Sequence, residues 1–176
     1  MNFLELAKKR YSVRSYTDQK VDKDDLDLIL EAGRVAPTGK NNQPQRLIVV
    51  QNEEGMEKLG KATRIYNAPV AIIICSDTEE TWSRPYDGKK LTDIDASIVT
   101  TQMMLQATEL RLGSLWVCWF DPEIIRTEFA LPDHLEAISI LVIGHANEEK
   151  QTPAMSPDRH DKLRKPLSET VFYEHL

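Results

Sequence analysis

Four runs of apolar residues limit the folds open to this chain more than any other feature: "RLIVVQ" (46–51), "PVAIIICS" (69–76), "SLWVCWF" (114–120) and "AISILVIGH" (137–145). They are short, rich in Val and Ile, and almost unbroken by polar residues, so each reads as a strand covered on both faces. The covering must come from helices on either side of a sheet, and the intervening sequence carries them. Asn2 can cap a short helix with Phe3, Leu6 and Ala7 on one face and Glu5 reaching back as a capping box requires. A second helix runs from about Lys23, with Leu26, Ile29, Leu30 and Gly33 on one side, and stops before Pro37. A long helix spans Asp93 to Leu112, where Ile94, Ile98, Leu105 and Leu112 recur with helical period while Ala96, Val99, Met103 and Met104 make other faces apolar too. Such a helix is central or lies at an interface. "DPEIIRTEFAL" starts another helix, with Asp121 as cap and Pro122 at the first helical position.

The 176 residues, 41% hydrophobic and 28% charged, suit one globular domain with a substantial core. A net charge of -6 disfavours nucleic acid or an anionic membrane as the main partner. The N-terminal residues lack the apolar core of a signal peptide, and no stretch approaches the ~20 apolar residues that span a bilayer, so a cytoplasmic protein is expected. Cys75 and Cys118 each sit inside an apolar run, which predicts two buried thiols rather than a disulfide. His134, His145, His160 and His175 form no metal-ligand spacing, and no metal is expected.

The alternation of helices and apolar strands suggests a nucleotide- or flavin-binding layer protein, yet the seven glycines form no G-x-G-x-x-G and no phosphate loop ending in G-K-[ST]. A bound phosphate would need side-chain cations. Two clusters offer them. In "KKRYSVRSY", Arg10, Ser12 and Arg14 fall at every second position, which in an extended segment places them on one face. In "DRHDKLRK", Arg159, Lys162, Arg164 and Lys165 gather near the end. Each alone reads more readily as a solvated basic surface than as an anion site. Together, in an acidic chain, they point to a shared anion, for which arginine's fork of donors is well suited. The last thirty residues have little to bury by themselves; they read as a disordered tail or as an arm lying across another surface.

Four ordered segments, "RYSVRSY", "APTGKNNQPQ", "LGSLWVCWFDPE" and "KLRKPLSETVFYE", resemble the signature segments of the nitroreductase family of FMN-dependent oxidoreductases, in its compact, short-chain form. The resemblance implies an α+β fold, a three-layer α-β-α sandwich, built as an intertwined homodimer with FMN at the subunit interface. Residues 1–176 would be one domain, with 147–176 as an arm across the partner. It further implies that Arg10, Ser12, Lys162 and Arg164 surround the FMN phosphate with support from Tyr11, and that Arg14 lies near the N1 and O2 edge of the ring. Pro37, Thr38, Gly39 and Asn41 match a loop contributed by the other subunit, Gln43 matches a polar residue packed behind it, and Cys118 and Trp119 fall where backbone N–H groups approach N5 and O4. Two departures stand out: Gln45 where the family often has Trp after "NxQP", and the bulky "CW" pair where it often has small residues.

The expected activity is hydride transfer from NADH or NADPH through FMN to a nitroaromatic, quinone or similar electron-poor acceptor, by a ping-pong cycle in which the flavin carries the chemistry. The alternatives are a flavin-binding sensor or store that does not turn over, and an α/β scaffold whose basic groups are surface charge. The stretch "TEETWSRPYDGKK" (78–90) has the composition of an exposed loop; it is either a surface turn or a lid in which Trp82 and Tyr86 stack on acceptors.

Overall fold

The computed structural model describes residues 2–150, 152, 156, 160 and 163–176. Among them the α-helices are α1 (Phe3–Lys9), α2 (Lys23–Arg34), α3 (Glu53–Ala62), α4 (Thr92–Glu109) and α5 (Pro122–Glu128), and the strands are β1 (Gln45–Val50), β2 (Val70–Asp77), β3 (Gly113–Val117) and β4 (Leu135–Gly144). The strands form one sheet in the order β1-β2-β4-β3, and every neighbouring pair is antiparallel. Alternating helices and strands are also compatible with a parallel sheet, but β2 starts beside the end of β1, with Ala71 opposite Val50. The intervening α3 and residues 63–69 therefore go out and return on one side, and the strand direction reverses. The result is an α+β fold.

The apolar runs are covered on both faces, as their composition requires. Every residue of β2 is buried. Ile72 and Ile74 point to one side, where they meet Ile29 of α2 and Val99 and Met103 of α4. Ala71, Ile73 and Cys75 point to the other, packing with Leu59 of α3 and Ile125 of α5. The layers are thus α2 and α4, the sheet, and α3 with α5. Gly33 lets α2 approach α4 closely, since a Cβ there would lie 2.9 Å from Met103 Cγ.

The capping predictions are met in both halves: Asn2 Oδ1 accepts the Glu5 N–H at 3.0 Å while Asn2 N donates to Glu5 Oε2 at 3.1 Å, and Asp121 accepts from the N–H groups of Glu123 and Ile124 ahead of α5. One helix goes unforeseen and three further points differ from expectation. Helix α3 carries no sequence prediction, because Gly55 and Gly60 interrupt its short pattern; Asn52 nevertheless caps it, accepting from Gly55 N–H at 2.8 Å. In α4 the buried residues are Thr92, Asp95, Ala96, Val99, Thr100, Met103, Met104 and Ala107, and the stripe of Ile94, Ile98 and Leu105 is only partly covered. That helix ends at Glu109, and Arg111 turns the chain in a left-handed conformation at φ 64. The third strand stops at Val117, so Cys118 is exposed and only Cys75 is a buried thiol. No helix among the described residues is long and apolar enough to cross a membrane.

Candidate active site

Arg10 ends α1 with extended backbone, its N–H donating to the Leu6 carbonyl at 3.2 Å. From there the segment "RYSVRSY" runs extended along the outer edge of β3. Val13 N–H donates to Ser114 O at 3.0 Å, and farther on Thr17 N–H donates to His145 O at 2.9 Å. This covers a sheet edge that would otherwise be open. Val13 turns into the core and alternation leaves Arg10 and Ser12 on the opposite face; Tyr16, of the same parity as Arg10 and Ser12, is nonetheless buried, so the alternation does not hold to the end of the segment.

There they line a cavity of about 290 Å³ with Tyr11, His160, Ser156 and Arg164. The arm therefore folds back onto the N-terminal segment: His160 Nε2 donates to the Arg10 carbonyl oxygen at 2.8 Å, and Arg164 N–H donates to the His160 carbonyl at 3.2 Å. The chain brings together two cations 154 residues apart in sequence, and among the described residues neither is in an ion pair. Burial, and secondly the Arg164 charge, hold the Arg10 guanidinium below its ordinary pKa. Burial and then Glu148 push the Tyr11 hydroxyl up, so it stays neutral as a hydrogen-bonding group. Two like charges converging on one polar cavity form a site that an anion would stabilise. Arg14 does not line it; its guanidinium is exposed, with Nη1 donating to Ser12 O at 3.4 Å. Lys162 and Arg159 lie outside the described residues. His160 and Ser156 carry no sequence signal of this role.

The "APTGKNNQPQ" loop is a separate feature. Lys40, Asn41 and Gln43 hold left-handed backbone at φ 50, 58 and 53, conformations that cost free energy in residues with a Cβ and persist only where the surroundings impose them. Several contacts do so: Gln43 N–H donates to Thr38 Oγ1 at 3.1 Å, Asn42 Nδ2 donates to Glu80 O at 2.8 Å, and Gly39 N–H donates to Asp95 Oδ1 at 2.9 Å. Pro37 and Asn41 face solvent beside the half-buried Thr38.

The 78–90 stretch is a closed turn. Leu91 N–H donates to Trp82 O at 3.0 Å, Arg84 N–H to Lys89 O at 2.9 Å, and Arg84 pairs with Asp87. Trp82 is half-buried, its side chain packed where a Cβ on Gly39 would come, while Tyr86 is 97% exposed. The two aromatics proposed as one pair thus have different surroundings.

Past the end of β3, Cys118 and the 93%-exposed Trp119 occupy a loop pinned to the end of α3: Thr63 Oγ1 donates to Trp119 O at 2.6 Å and Asp121 N–H to Ala62 O at 3.1 Å. A second cavity, about 520 Å³, opens between them, lined by Lys61, Thr63, Arg64, Tyr66, Val117 and Trp119. Along β3, Cys118 is about 13 Å from Ser114, the residue beside Ser12, at the rise of a strand. A cationic recess and an aromatic rim therefore stand toward opposite ends of one edge strand. No group of His, Cys, Asp and Glu among the described residues could hold a metal.

The sequence model of the nitroreductase family matches residues 7–65 and 58–145. The chain belongs to the nitroreductase family. The match covers the Arg10–Ser12 segment, the 38–43 loop and Cys118–Trp119, and stops short of the arm. A crystal structure of a nitroreductase family protein from Clostridium difficile 630 is 60% identical, with both chains covered completely and a TM-score of 0.94. A nitroreductase from Desulfovibrio desulfuricans, solved in complex with FMN, is 29% identical with a TM-score of 0.76, covering 100% of this chain and 99% of that one. The FMN reductase [NAD(P)H] of Bacillus subtilis is 28% identical over 185 residues, 94% of this chain and 74% of that protein.

Proposed function

We propose that this nitroreductase-family chain is an oxidoreductase that binds FMN at its Arg10–Arg164 cavity and moves hydride from NADH or NADPH to a nitroaromatic, quinone or similar electron-poor acceptor. The observation that carries the reading is the convergence of two guanidiniums, from opposite ends of the chain and without an ion pair among the described residues, on a polar cavity with Ser12. The residues fit a phosphate terminus: fork-shaped donors, a hydroxyl and like charges that need an anion between them. The FMN-bound relative and the FMN reductase relative support the same assignment.

Bound here, FMN would supply the hydride-transfer chemistry, so the protein needs no catalytic acid or base of its own. Arg10, Ser12 and Arg164 hold the phosphate, Lys162 adds charge from the arm, and Tyr11 supports the segment. Arg14, which stands apart from the phosphate recess, supplies positive charge at the pyrimidine edge of the ring. The backbone of Cys118 and Trp119, fixed by Thr63, offers donors toward N5 and O4, and Trp119 narrows the space for the acceptor.

The functional unit we propose is a homodimer of one-domain subunits in which the partner supplies the loop of Pro37, Thr38, Gly39 and Asn41, with Gln43 packed behind it. Apolar surface supports it. Phe3 is 70% exposed beside Leu6, Leu28, Val35 and Leu105 in a groove formed by α1, α2 and α4, and Phe172 on the arm is 53% exposed near Val171 and Tyr173. A chain of this size does not ordinarily leave so much apolar surface in water. With the end of the arm beyond Arg164 across the partner, and its earlier part on its own Arg10 segment, both surfaces become buried.

The test is an absorption spectrum of the purified protein, before and after anaerobic NADH or NADPH, followed by turnover with a quinone. A flavin spectrum that bleaches with the donor and recovers with the acceptor is expected. Protein that takes up no added FMN would overturn the reading, and bound flavin without turnover would favour a sensor or store.

A further inference from the structure

We propose that Asp95 is a positioning residue that holds the Thr38–Gln43 loop in its binding conformation; this rests on the assignment of that loop to FMN. Asp95 stands in the first turn of α4 and is 1% exposed. Its Oδ1 accepts the Gly39 N–H at 2.9 Å, and its Oδ2, equally buried, has no hydrogen-bond partner among the described residues. No Lys, Arg or His among them forms an ion pair with it.

A buried carboxylate without a counter-ion is an expensive way to fill a helix position, and an apolar side chain would serve the core better. The positive end of α4 offsets part of that cost. What the carboxylate does that an apolar group cannot is accept the N–H of Gly39, one residue before the left-handed Lys40 and Asn41. Gly39 is confined from the other side as well. A Cβ on it would lie 2.9 Å from Leu91 Cδ1 and 3.2 Å from Trp82 Cβ. The peptide is thus gripped between a buried side-chain acceptor and a hydrophobic wall, and the strained residues that follow inherit its orientation. Trp82 belongs to this clamp, which is why it is half-buried while Tyr86 is not.

The experiment compares FMN titrations, followed by flavin fluorescence, for the wild type, Asp95→Asn and Asp95→Ala, together with amide hydrogen exchange at Gly39 without FMN. Asp95→Asn keeps an oxygen acceptor and removes the charge; it should bind FMN within about threefold of the wild type. Asp95→Ala removes the acceptor; its FMN affinity should fall by about tenfold or more, as leaving the Gly39 N–H without a partner predicts, and Gly39 exchange should quicken in that variant only. Equal FMN affinity in all three, or Gly39 exchange unchanged in Asp95→Ala, would overturn the proposal. A general folding role would lower thermal stability and leave the affinity of the folded fraction unchanged, which also counts against it. If Asp95→Ala does not fold, Asp95→Asn decides by itself: slow Gly39 exchange with near-wild-type affinity supports the clamp, and rapid exchange or a tenfold loss refutes it. A wild type that takes no FMN would fail the functional reading, while the exchange data would still judge the clamp.

Discussion

The two halves of the Arg10–Arg164 cavity are built in opposite ways. Arg10 and Ser12 are part of the body: their segment is tied to β3 through Val13, anchored by the buried Val13 and Tyr16, and continued by the hydrogen bonds of Ser15 and Thr17 to the end of β4. Arg164 sits on the arm, where all described residues from 163 onward are exposed and Leu167–Glu169 form a short 3-10 turn. One half is preorganised by the fold, and the other depends on docking. A site divided this way can be emptied by releasing the arm without unfolding the sheet.

The largest test of that contrast is removal of the arm. A chain ending at Lys150 keeps the whole sheet and both core clusters but loses His160, Lys162, Arg164 and the apolar group around Phe172. It should fold, lose bound flavin and dissociate to monomers, read by absorbance and by sedimentation. A truncated protein that stays yellow and dimeric would show that the body alone completes the site.

A sharper test replaces one cation at a time. Arg10→Ala and Arg164→Ala should each weaken FMN by about 1.5–3 kcal/mol, roughly tenfold to a hundredfold or more, the range for hydrogen bonds to charged groups. The stability of the flavin-free protein should move the other way, because Arg164 opposes the charge of Arg10 when no anion lies between them. Thermal melts should therefore show either variant at or above the wild type without FMN and below it at saturating FMN. The double variant should cost less affinity than the sum of the singles, since both act on one phosphate. A fall in stability of the same size with and without flavin would mean that the guanidiniums serve packing.

Much of the body was legible from local rules. The apolar runs announced a doubly covered sheet, Asn2 with Glu5 and Asp121 with Pro122 announced helix starts, and alternation in "RYSVRSY" placed Arg10 and Ser12 on one face. Where the reading stopped, the deciding contact was long-range. The alternation that joined Arg10 and Ser12 also grouped Arg14 with them, but strand parity carries no information about where the arm lands. Trp82 and Tyr86 share one polar stretch and one composition; only the packing of Gly39 separates a clamp residue from an exposed ring. Asp95 sits among apolar residues of a long helix, and nothing in its neighbours points to a backbone N–H 56 positions earlier. Helix α3 was masked for a local reason, two glycines in ten residues, and is stabilised by its cap and by packing of Leu59.

The smallest effect contrasts the two thiols, one in the interior and one at the rim. Cys75 lies fully buried in the central strand β2, and burial raises its pKa from 9.0 to about 11; Cys118 is exposed beyond the end of β3. A thiol whose folded pKa lies above its unfolded value is neutral in both states at neutral pH and contributes nothing to the pH dependence there. As pH rises through about 9, the unfolded chain releases its proton first and is favoured, so stability falls across the window from about 9 to 11 by up to about 1.4 kcal/mol per pH unit. Buried Tyr16, whose hydroxyl is also pushed up mainly by burial, adds a loss of the same sign at still higher pH. Thermal melts from pH 8 to pH 10.5 should show Cys75→Ala less stable at pH 8, because of the small cavity it leaves, yet falling less steeply than the wild type. Cys118→Ala should match the wild type at pH 8, because an exposed side chain leaves no cavity when it is shortened. Parallel curves for the wild type and Cys75→Ala would mean that the interior tolerates the thiolate, which a dry strand between two apolar layers should not do.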